Sequence, residues 1–214
     1  MSPVLTHADA ERFAACIEGG GAAVFPADTV YGLACDPTNP DAVAKLYELK
    51  GRPPDKPAAV MWFDRERALE ALTDLSPRTR TAVEGLTPGP VTLLLPNPAD
   101  RFSLAAGPSG EVRTLGVRVP ALGAGAAALA AVRAAVLQSS ANAAGGPDAR
   151  AVSEVPEDIR RRADLVLDAG PLPGTPSTVI DLQSYEDTGE WRIVREGALP
   201  AAEVARALGI VGRR

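Results

Sequence analysis

Histidine and cysteine, which many enzymes use for metal sites and nucleophilic catalysis, are nearly missing from this sequence. Its 214 residues include one histidine, His7, and two cysteines, Cys16 and Cys35. A zinc site would have too few ligands, and a Ser-His-Asp mechanism would depend on His7 alone, so neither chemistry is expected. Two scattered cysteines and no apolar signal segment at the start of the chain predict a reducing, cytoplasmic setting.

Long apolar runs and aromatic side chains are also scarce. No stretch approaches the roughly 18 consecutive apolar residues of a membrane span, so no membrane partner is expected. Aromatic residues are 4% of the chain, so Ala, Val and Leu must supply most of the core. Hydrophobic residues at 46% and charged residues at 23% are typical of a globular protein. The 20 glycines and 20 prolines, spread along the chain, indicate many tight turns between short elements.

The chain has no excess of positive charge and very little lysine. Its net charge is −5, which argues against a protein that coats nucleic acid, so an anionic ligand must meet a local basic cluster. Of 22 basic residues only Lys45, Lys50 and Lys56 are lysines, and all three lie within twelve residues, beside Arg52. This concentration of compact ammonium groups favours an anion site. A chance cluster at a solvated helix end is the alternative interpretation.

Helix and strand signals are interleaved along the chain. Thr6 with Asp9 resembles a capping box before a helix over 10–18, and Asn39-Pro40 begins a second helix that Gly51 ends. Other helices are predicted over 76–85, 124–133, 156–162 and 200–208, and strands over 22–25, 58–63, 91–95, 115–119, 135–138, 165–167, 178–182 and 191–194. The pattern predicts an α/β (mixed α+β) fold with one central sheet, as a single domain over 1–214 with its core over about 10–200.

Four segments carry more polar chemistry than their predicted structure requires. Residues 26–33 form a polar turn after a strand, and residues 50–57 hold three cations in turn-forming sequence. In residues 114–120, Arg118 lies inside an otherwise apolar strand. Residues 139–142 and 177–181 place small hydroxyl side chains at the end of one strand and the start of another. Together they indicate a functional site.

In this order the segments resemble the YrdC-like family, the threonylcarbamoyl-AMP synthases, from about residue 10 to about residue 200. The resemblance rests on Lys-Gly-Arg-Pro at 50–53, Pro-Gly-Pro-Val-Thr at 88–92, the Arg118 strand, Ser-Ala-Asn at 140–142 and Ser-Thr-Val-Ile-Asp at 177–181. It implies one domain with a twisted mixed β-sheet flanked by helices and a concave, positively charged cleft. Longer family members have an extra C-terminal domain, and none is expected in these 214 residues.

The resemblance also implies a reaction and its partners. L-Threonine, bicarbonate (or CO₂) and ATP would give threonylcarbamoyl-AMP and pyrophosphate, for threonylcarbamoyladenosine modification of tRNA. ATP brings about four negative charges and is usually accompanied by Mg²⁺. Phosphoryl transfer needs placement and charge neutralisation more than an acid or base, so the missing catalytic histidine is no obstacle. The implied recipient of the product is a downstream tRNA-modifying transferase complex, and direct contact with tRNA or RNA is left open.

Roles for individual residues follow from the same resemblance. Lys50 and Arg52 would be the catalytic contacts to the triphosphate. The full ATP site would consist of Lys50, Arg52, Lys56, Thr114, Ser140, Asn142 and Arg195. L-Threonine would be bound by Thr29, Ser177 and Arg118, whose planar fork suits a carboxylate. No resident metal site is expected.

Three of these residues have structural alternatives. Thr29 could satisfy the backbone of its own turn. Arg118 could pair with a carboxylate on a neighbouring strand, and Asn142 could serve only the turn before Gly145.

Four positions depart from the family pattern. Ala27 stands where threonine is usual, Met61 where histidine is usual, Ala144 where serine is usual, and Asp148 where a hydroxyl is common. Asp148 would repel a phosphate unless Mg²⁺ lies between them. The departures leave two alternatives open. One is a YrdC-like paralogue without this activity that binds RNA or nucleotide through the same cleft, and the other is an enzyme that makes a carbamoyl-adenylate from another substrate.

Overall fold

The computed structural model describes residues 3–53, 56–105 and 113–209. Its strands are β1 (Ala23–Pro26), β2 (Tyr31–Cys35), β3 (Ala59–Met61), β4 (Val91–Pro96), β5 (Thr114–Arg118), β6 (Val136–Ser140), β7 (Leu165–Val166), β8 (Thr178–Asp181) and β9 (Arg192–Arg195). Its helices are α1 (His7–Glu18), α2 (Pro40–Lys50), α3 (Arg65–Ala71), α4 (Pro77–Leu86), α5 (Glu157–Arg162), α6 (Tyr185–Thr188) and α7 (Ala201–Ala207). Two 3₁₀ helices span Ala124–Ala131 and Val152–Glu154.

These strands form one mixed sheet in the order β7-β1-β2-β6-β3-β5-β4-β8-β9. The β1–β7, β3–β5 and β4–β8 pairs are parallel, and the other five pairs are antiparallel. The mixed sheet with flanking helices confirms the predicted fold class. The topology also brings together strands that lie far apart in the sequence, since β3 lies between β6 and β5.

Local sequence accounts for the ends of α1 and α2. The Thr6 hydroxyl accepts the Asp9 amide at 3.3 Å, and the Asp9 carboxylate accepts the Thr6 amide at 2.9 Å, so the predicted capping box is present. Asn39 Oδ1 accepts the Asp41 amide at 3.0 Å at the start of α2. Gly51 ends α2 with φ 57°, a left-handed conformation that glycine adopts without strain.

The structure differs from the sequence prediction at several elements, and α6 and the 3₁₀ helix Val152–Glu154 are among those that were not predicted. The segment read as a polar turn, residues 26–33, continues into β2, which pairs with β1 and β6 and is buried throughout because its two faces pack into the two cores. Helix α3 was not predicted, although Asp64 caps it by accepting the Arg67 amide at 3.1 Å. The predicted helix over 124–133 is a 3₁₀ helix, Ala124–Ala131.

The sheet has different coverings on its two faces. One face packs with α2, α4, α5 and α7 into the main apolar core, in which Leu33 and Val60 are fully buried. On the other face, α1 and Ala124–Ala131 cover the β1 end, where Phe13, Phe25 and Phe63 form an aromatic cluster. No helix in the described part of the chain is long and apolar enough to cross a bilayer.

Candidate active site

Strand register places several predicted site residues on the face that α1 partly covers. Gln138 pairs with Ala59, Ala59 with Gly116, and Gly116 with Leu94. Because paired residues share a face and side chains alternate along a strand, the even-numbered residues of β4, β5 and β6 point to the same side. This side, which we call the cleft face, therefore includes Thr114, Arg118 and Ser140. Val179 pairs with Arg195 and brings Arg195 to the same side.

A cavity of about 160 Å³ opens on the middle of the cleft face. Its charged and polar lining consists of Arg52, Thr92, Arg118, Gln138, Ser139, Ser140, Asp148, Ser177 and Arg195. Pockets that enclose a drug-sized ligand start at about 300 Å³, so the enclosed part suits a smaller molecule or part of a larger one. Three guanidinium groups and one carboxylate give the lining a net positive charge.

Arg118 is buried in the cavity wall, with 4% of its surface exposed. Its Nη2 donates to Asp28 Oδ1 at 2.7 Å, its Nη1 donates to Gln138 Oε1 at 3.2 Å, and its Nε–H has no partner among the described residues. Burial lowers the pKa of Arg118, and the Asp28 carboxylate opposes that shift. Arg118 does pair with a carboxylate, as its structural alternative anticipated, but Asp28 lies in the turn between β1 and β2 and not on a neighbouring strand. The pair leaves the Nε–H side of the fork without a partner among the described residues.

Arg52 approaches the cavity from the turn after α2. Its Nη1 donates to Ser139 Oγ at 3.0 Å, its Nη2 donates to the Pro57 carbonyl, and its guanidinium lies 5.8 Å from the centre of the Tyr47 ring. Its Nε–H is buried without a partner in the described part of the chain. A buried unpaired donor costs free energy that an acceptor on a ligand would recover. Arg52 and Arg118 therefore both present unpaired donors at this site.

Arg195 and Ser177 form the opposite wall. Arg195 Nη2 donates to the Ser177 carbonyl at 2.6 Å and to its Oγ at 3.2 Å, and the Ser177 and Thr92 hydroxyls lie 3.0 Å apart. The backbone after Arg195 runs directly against the start of β8. A Cβ at Gly197 would lie 2.4 Å from the Pro176 carbonyl oxygen and 2.5 Å from the Thr178 amide nitrogen. Only glycine allows this approach.

Gly197→Ala is therefore expected to lower the free energy of unfolding by about 1–3 kcal/mol, the usual cost of overpacking. It should also weaken ligand binding, because the backbone that positions Arg195 and Ser177 must move. Gly123→Ala is the matched control, since a Cβ there meets nothing within 4 Å, and its effect should stay within about 0.5 kcal/mol. Urea denaturation of both variants checks the difference, and equal losses would contradict the argument.

Lys50 lies beneath the cavity and does not line it. Its Nζ donates to the Ser140 carbonyl, to the Asn142 carbonyl at 2.8 Å and to Asn142 Oδ1 at 2.9 Å, so all three donors are used. Burial lowers its pKa to about 8, with a further contribution from Arg52 that Asp148 opposes. In this arrangement the ammonium group holds the Ser140–Asn142 turn in place and makes no open contact surface for a phosphate.

The three lysines, whose concentration in the sequence favoured one anion site, lie apart in the structure. Lys45 pairs with Asp164 at 2.6 Å at the side of the molecule, and Lys56 is exposed and does not line the cavity. The positive charge of the cavity comes from arginines instead. The intervening Pro54 and Asp55, part of the predicted cation segment, lie outside the described residues.

The remaining predicted site residues occupy different positions. Thr114 lies on the cleft face but away from this cavity, and its hydroxyl donates to Gln183 at 2.8 Å. Thr29 is buried at 3.5 Å from Arg118 Nη2, behind the lining. Asn142 is also buried, and it accepts from Ser140 Oγ at 2.7 Å and donates to the Gly146 carbonyl at 2.7 Å, so it does serve its own turn. Their roles in ligand binding stay predictions.

Two of the four departures from the family pattern lie in apolar surroundings. Ala27 and Met61 are buried in the cluster under α1, and neither lines the cavity. The amide of Ala144 donates to the Lys50 carbonyl at 2.9 Å, and the Asp148 side chain is part of the cavity wall. Of the four, Asp148 is the one that bears directly on a ligand in this cavity.

Sequence reasoning gave no site role to three polar residues of the cavity, Thr92, Ser139 and Gln138, although Thr92 and Ser139 lie within the motifs that it singled out. Gln138 gave a weaker signal than Arg118, because it ends the predicted strand 135–138 and is followed by Ser139 and Ser140. Asp28, the partner of Arg118, was quoted in the first motif but was given no role. A larger cavity of about 660 Å³, lined by Asp181, Gln183 and Trp191 among others, holds none of the predicted site residues. No group of three metal-ligating side chains occurs in the described part of the chain.

Comparison with known proteins adds a family match and two close relatives. The model of the Sua5/YciO/YrdC family, described as telomere recombination, matches residues 15–197. The threonylcarbamoyl-AMP synthase of Pyrococcus abyssi is 28% identical over 194 residues, which are 90% of this chain and 55% of that protein. The enzyme of the same name from Bacillus subtilis is 35% identical over 172 residues, which are 78% of this chain and 48% of the relative. The chain thus spans about half the length of these relatives.

A solved structure supports the same relationship. The crystal structure of P. abyssi Sua5 complexed with L-threonine matches with a TM-score of 0.82 and 28% identity. The match covers 97% of this chain and 59% of that one. The described fold therefore has a counterpart in a relative that was crystallised with L-threonine.

Proposed function

Because the chain belongs to the Sua5/YciO/YrdC family, we propose that it is an ATP-dependent L-threonylcarbamoyl-AMP synthase. It would combine L-threonine, bicarbonate or CO₂, and ATP, and release pyrophosphate. The similarity to threonylcarbamoyl-AMP synthases and to Sua5 with L-threonine supports this activity. The observation that carries the proposal is the convergence of Arg52, Arg118 and Arg195 on one cavity of an acidic protein.

The chemistry of the lining fits the proposed reaction. The carbamate of L-threonine attacks the α-phosphorus of ATP with one oxygen, and pyrophosphate leaves on the opposite side. Such a transfer depends on in-line placement and on stabilising negative charge. Arg52 and Arg195, on opposite walls, would hold phosphate oxygens, while Arg118 receives the carboxylate of L-threonine. Asp148 is the one carboxylate in the described lining, so the site is built for charge stabilisation more than for proton transfer.

Mg²⁺ would enter with ATP, and the donor set fits this role. Mg²⁺ in nucleotide sites is typically bound by substrate phosphates with one or two carboxylates. Asp148 supplies one carboxylate in the lining, and Asp148 Oδ1 accepts from Asn142 Nδ2 at 3.3 Å. When bound, Mg²⁺ would neutralise phosphate charge, which would remove the repulsion between Asp148 and a phosphate.

The direct test is pyrophosphate release by the purified protein. Release should require ATP, bicarbonate and L-threonine together, and chelation of Mg²⁺ should abolish it. Release without L-threonine would show that another substrate is used. No release under any condition, combined with binding of RNA or nucleotide, would overturn the enzyme in favour of an inactive paralogue.

Arg52→Ala is expected to weaken ATP binding by about 10- to 100-fold, the range for losing a charge-assisted hydrogen bond. Its free energy of unfolding should change little, because the side chain leaves a polar turn and not the apolar core. Arg161→Ala is the control, since it removes the same charge from an exposed helix end. Calorimetric titration with ATP and urea denaturation measure the two effects. Collapse of stability without any change in ATP affinity would show that Arg52 is structural.

We also propose that the product passes to a tRNA-modifying transferase complex in the cytoplasm. A mixed carbamic–phosphoric anhydride is reactive toward water, so a nearby consumer of the adenylate is expected. The net charge of −5 gives no general attraction for tRNA, so any direct tRNA contact would be local.

A further inference from the structure

Asp148 places a negative charge in a cavity that is proposed to receive polyphosphate. It lines the cavity together with Arg52, Arg118 and Arg195, and it is the one carboxylate in the described lining. Where the family pattern commonly has a hydroxyl, this chain has Asp148. A hydroxyl donates to a phosphate oxygen directly, whereas an ionised carboxylate only accepts hydrogen bonds and repels the phosphate. The substitution therefore changes what this wall of the cavity can bind.

The arginines of the cavity do not neutralise Asp148. Each guanidinium group donates to another partner: Arg118 to Asp28, Arg52 to Ser139 and Arg195 to Ser177. Within the described part of the chain, the Asp148 side chain forms no salt bridge and accepts one hydrogen bond, from Asn142 Nδ2 to its Oδ1 at 3.3 Å. Its other oxygen, Oδ2, is therefore available to a cation.

The chain around Asp148 holds the carboxylate in place. The next residue, Ala149, is buried, and its carbonyl accepts the Tyr31 amide of β2 at 2.8 Å. Asn142, which contacts Oδ1, is itself fixed, because its Nδ2 also donates to the Gly146 carbonyl at 2.7 Å and its Oδ1 accepts from Lys50 at 2.9 Å. A carboxylate held at its backbone and at one oxygen does not readily turn away from an entering phosphate.

A fixed carboxylate among arginines affects the two forms of ATP in opposite ways. Free ATP carries about four negative charges, and a bound Mg²⁺ ion cancels about half of them. Guanidinium groups alone attract the more negative form, free ATP, more strongly. The carboxylate repels free ATP and attracts the metal of the complex, since Mg²⁺ in nucleotide sites is bound by phosphates with one or two carboxylates. One open carboxylate oxygen is what such a site needs from the protein.

We propose that Asp148 makes the cavity selective for magnesium-complexed ATP over free ATP, because its open oxygen binds the metal and its charge repels phosphate when the metal is absent. The inference rests on the proposed function. It assigns to this chain a selectivity that a hydroxyl at position 148 would not supply, because a hydroxyl contacts either form of the nucleotide.

The test is calorimetric titration with ATP, once in excess Mg²⁺ and once in EDTA, without L-threonine or bicarbonate. The Kd of the unsubstituted protein should be at least about tenfold higher in EDTA. Asp148→Asn removes the charge and keeps the shape, and Asp148→Ser restores the hydroxyl. In both variants the two Kd values should differ by less than about threefold or favour free ATP. Asp187→Asn is the control, since it removes the same charge from the exposed side of α6 and should keep the ratio of the unsubstituted protein.

Three results would overturn the inference. The unsubstituted protein could bind ATP equally well in both conditions, or it could bind ATP in neither. Both Asp148 variants, shown by urea denaturation to be folded, could also keep the ratio of the unsubstituted protein, which would place the magnesium dependence elsewhere. Because the titration needs no turnover, a protein that shows the expected ratios but releases no pyrophosphate would contradict the proposed function and leave the selectivity of Asp148 supported.

Discussion

Arg118→Ala is expected to lower the free energy of unfolding by about 3–5 kcal/mol, the largest effect of any substitution considered. The reason is that the substitution leaves the Asp28 carboxylate unpaired. Asp28 and Arg118 have 4% and 5% of their side chains exposed, so the truncation would leave a carboxylate buried without a counter-ion. Gln138 Oε1 would lose its donor as well. Urea denaturation measures the loss, with an unchanged dependence on urea showing that the native state stays compact.

A control and a second variant separate the charge effect from other causes. Arg80→Ala removes an arginine whose partner, Glu84, lies one helix turn away with both side chains about 45% exposed, and it should cost less than about 1 kcal/mol. Asp28→Asn combined with Arg118→Met removes both charges and should recover part of the stability. At a temperature where Arg118→Ala stays folded, its KM for L-threonine should rise far more than its KM for ATP. A double variant no more stable than Arg118→Ala would show that unpaired charge is not the cause.

Lys50→Met is expected to have the second largest effect, with a loss of about 2 kcal/mol or more in the free energy of unfolding. The substitution removes the Lys50 donor from the Ser140 and Asn142 carbonyls and leaves Asn142 Oδ1 with only the Ser140 hydroxyl, and an unsatisfied buried acceptor costs about 1–3 kcal/mol. Removing the buried ammonium recovers part of that cost. Activity should fall further than stability, because the Ser140–Asn142 turn forms a cavity wall. Lys45→Met, which breaks an exposed pair with Asp164, should cost less than about 1 kcal/mol.

The lowered pKa of Lys50 predicts that the free energy of unfolding depends on pH. The pKa of Lys50 is about 8 in the folded protein against an ordinary value of 10.5, so between these values the unfolded chain binds more protons. By linkage, the contribution of Lys50 to stability is constant below pH 8 and becomes more favourable as pH rises from 8 to 10.5. The unsubstituted protein should therefore gain stability relative to Lys50→Met over this interval. Parallel curves of unfolding free energy against pH would contradict the lowered pKa.

The positions of the lysines show where sequence reasoning stopped being sufficient. Lys45 and Lys50 are five residues apart, and at 3.6 residues per turn their side chains point about 140° apart around α2. Two lysines that are close in the sequence therefore lie on opposite sides of one helix. One meets Asp164 and the other enters the interior beneath the cavity. A helical wheel could have shown that the two side chains diverge. What surrounds each of them is decided only by the packing of α2 against the sheet.

Strand β2 is a second case in which distant parts of the chain overrode what the local sequence favoured. Its residues 31–35 follow a turn and include Gly32, so local propensity favoured a turn. Pairing with β1 and β6 overrode that preference, and the missing Cβ at Gly32 is what admits the Phe25 ring and the Gln138 amide. The strand is a product of its neighbours, which lie far away along the chain.

Local sequence alone determined the ends of α1 and α2, most of the strands, the mixed α/β class and the resemblance to a family, because caps, turn residues and short motifs act over a few positions. The tertiary structure decided which charges meet. Register across β6, β3, β5 and β4 aligned Ser140, Gln138, Arg118 and Thr92 on one face, and pairing of β8 with β9 added Arg195. Since electrostatic and hydrogen-bonding chemistry depends on distances of a few ångströms between residues many positions apart, only the folded sheet could define the site.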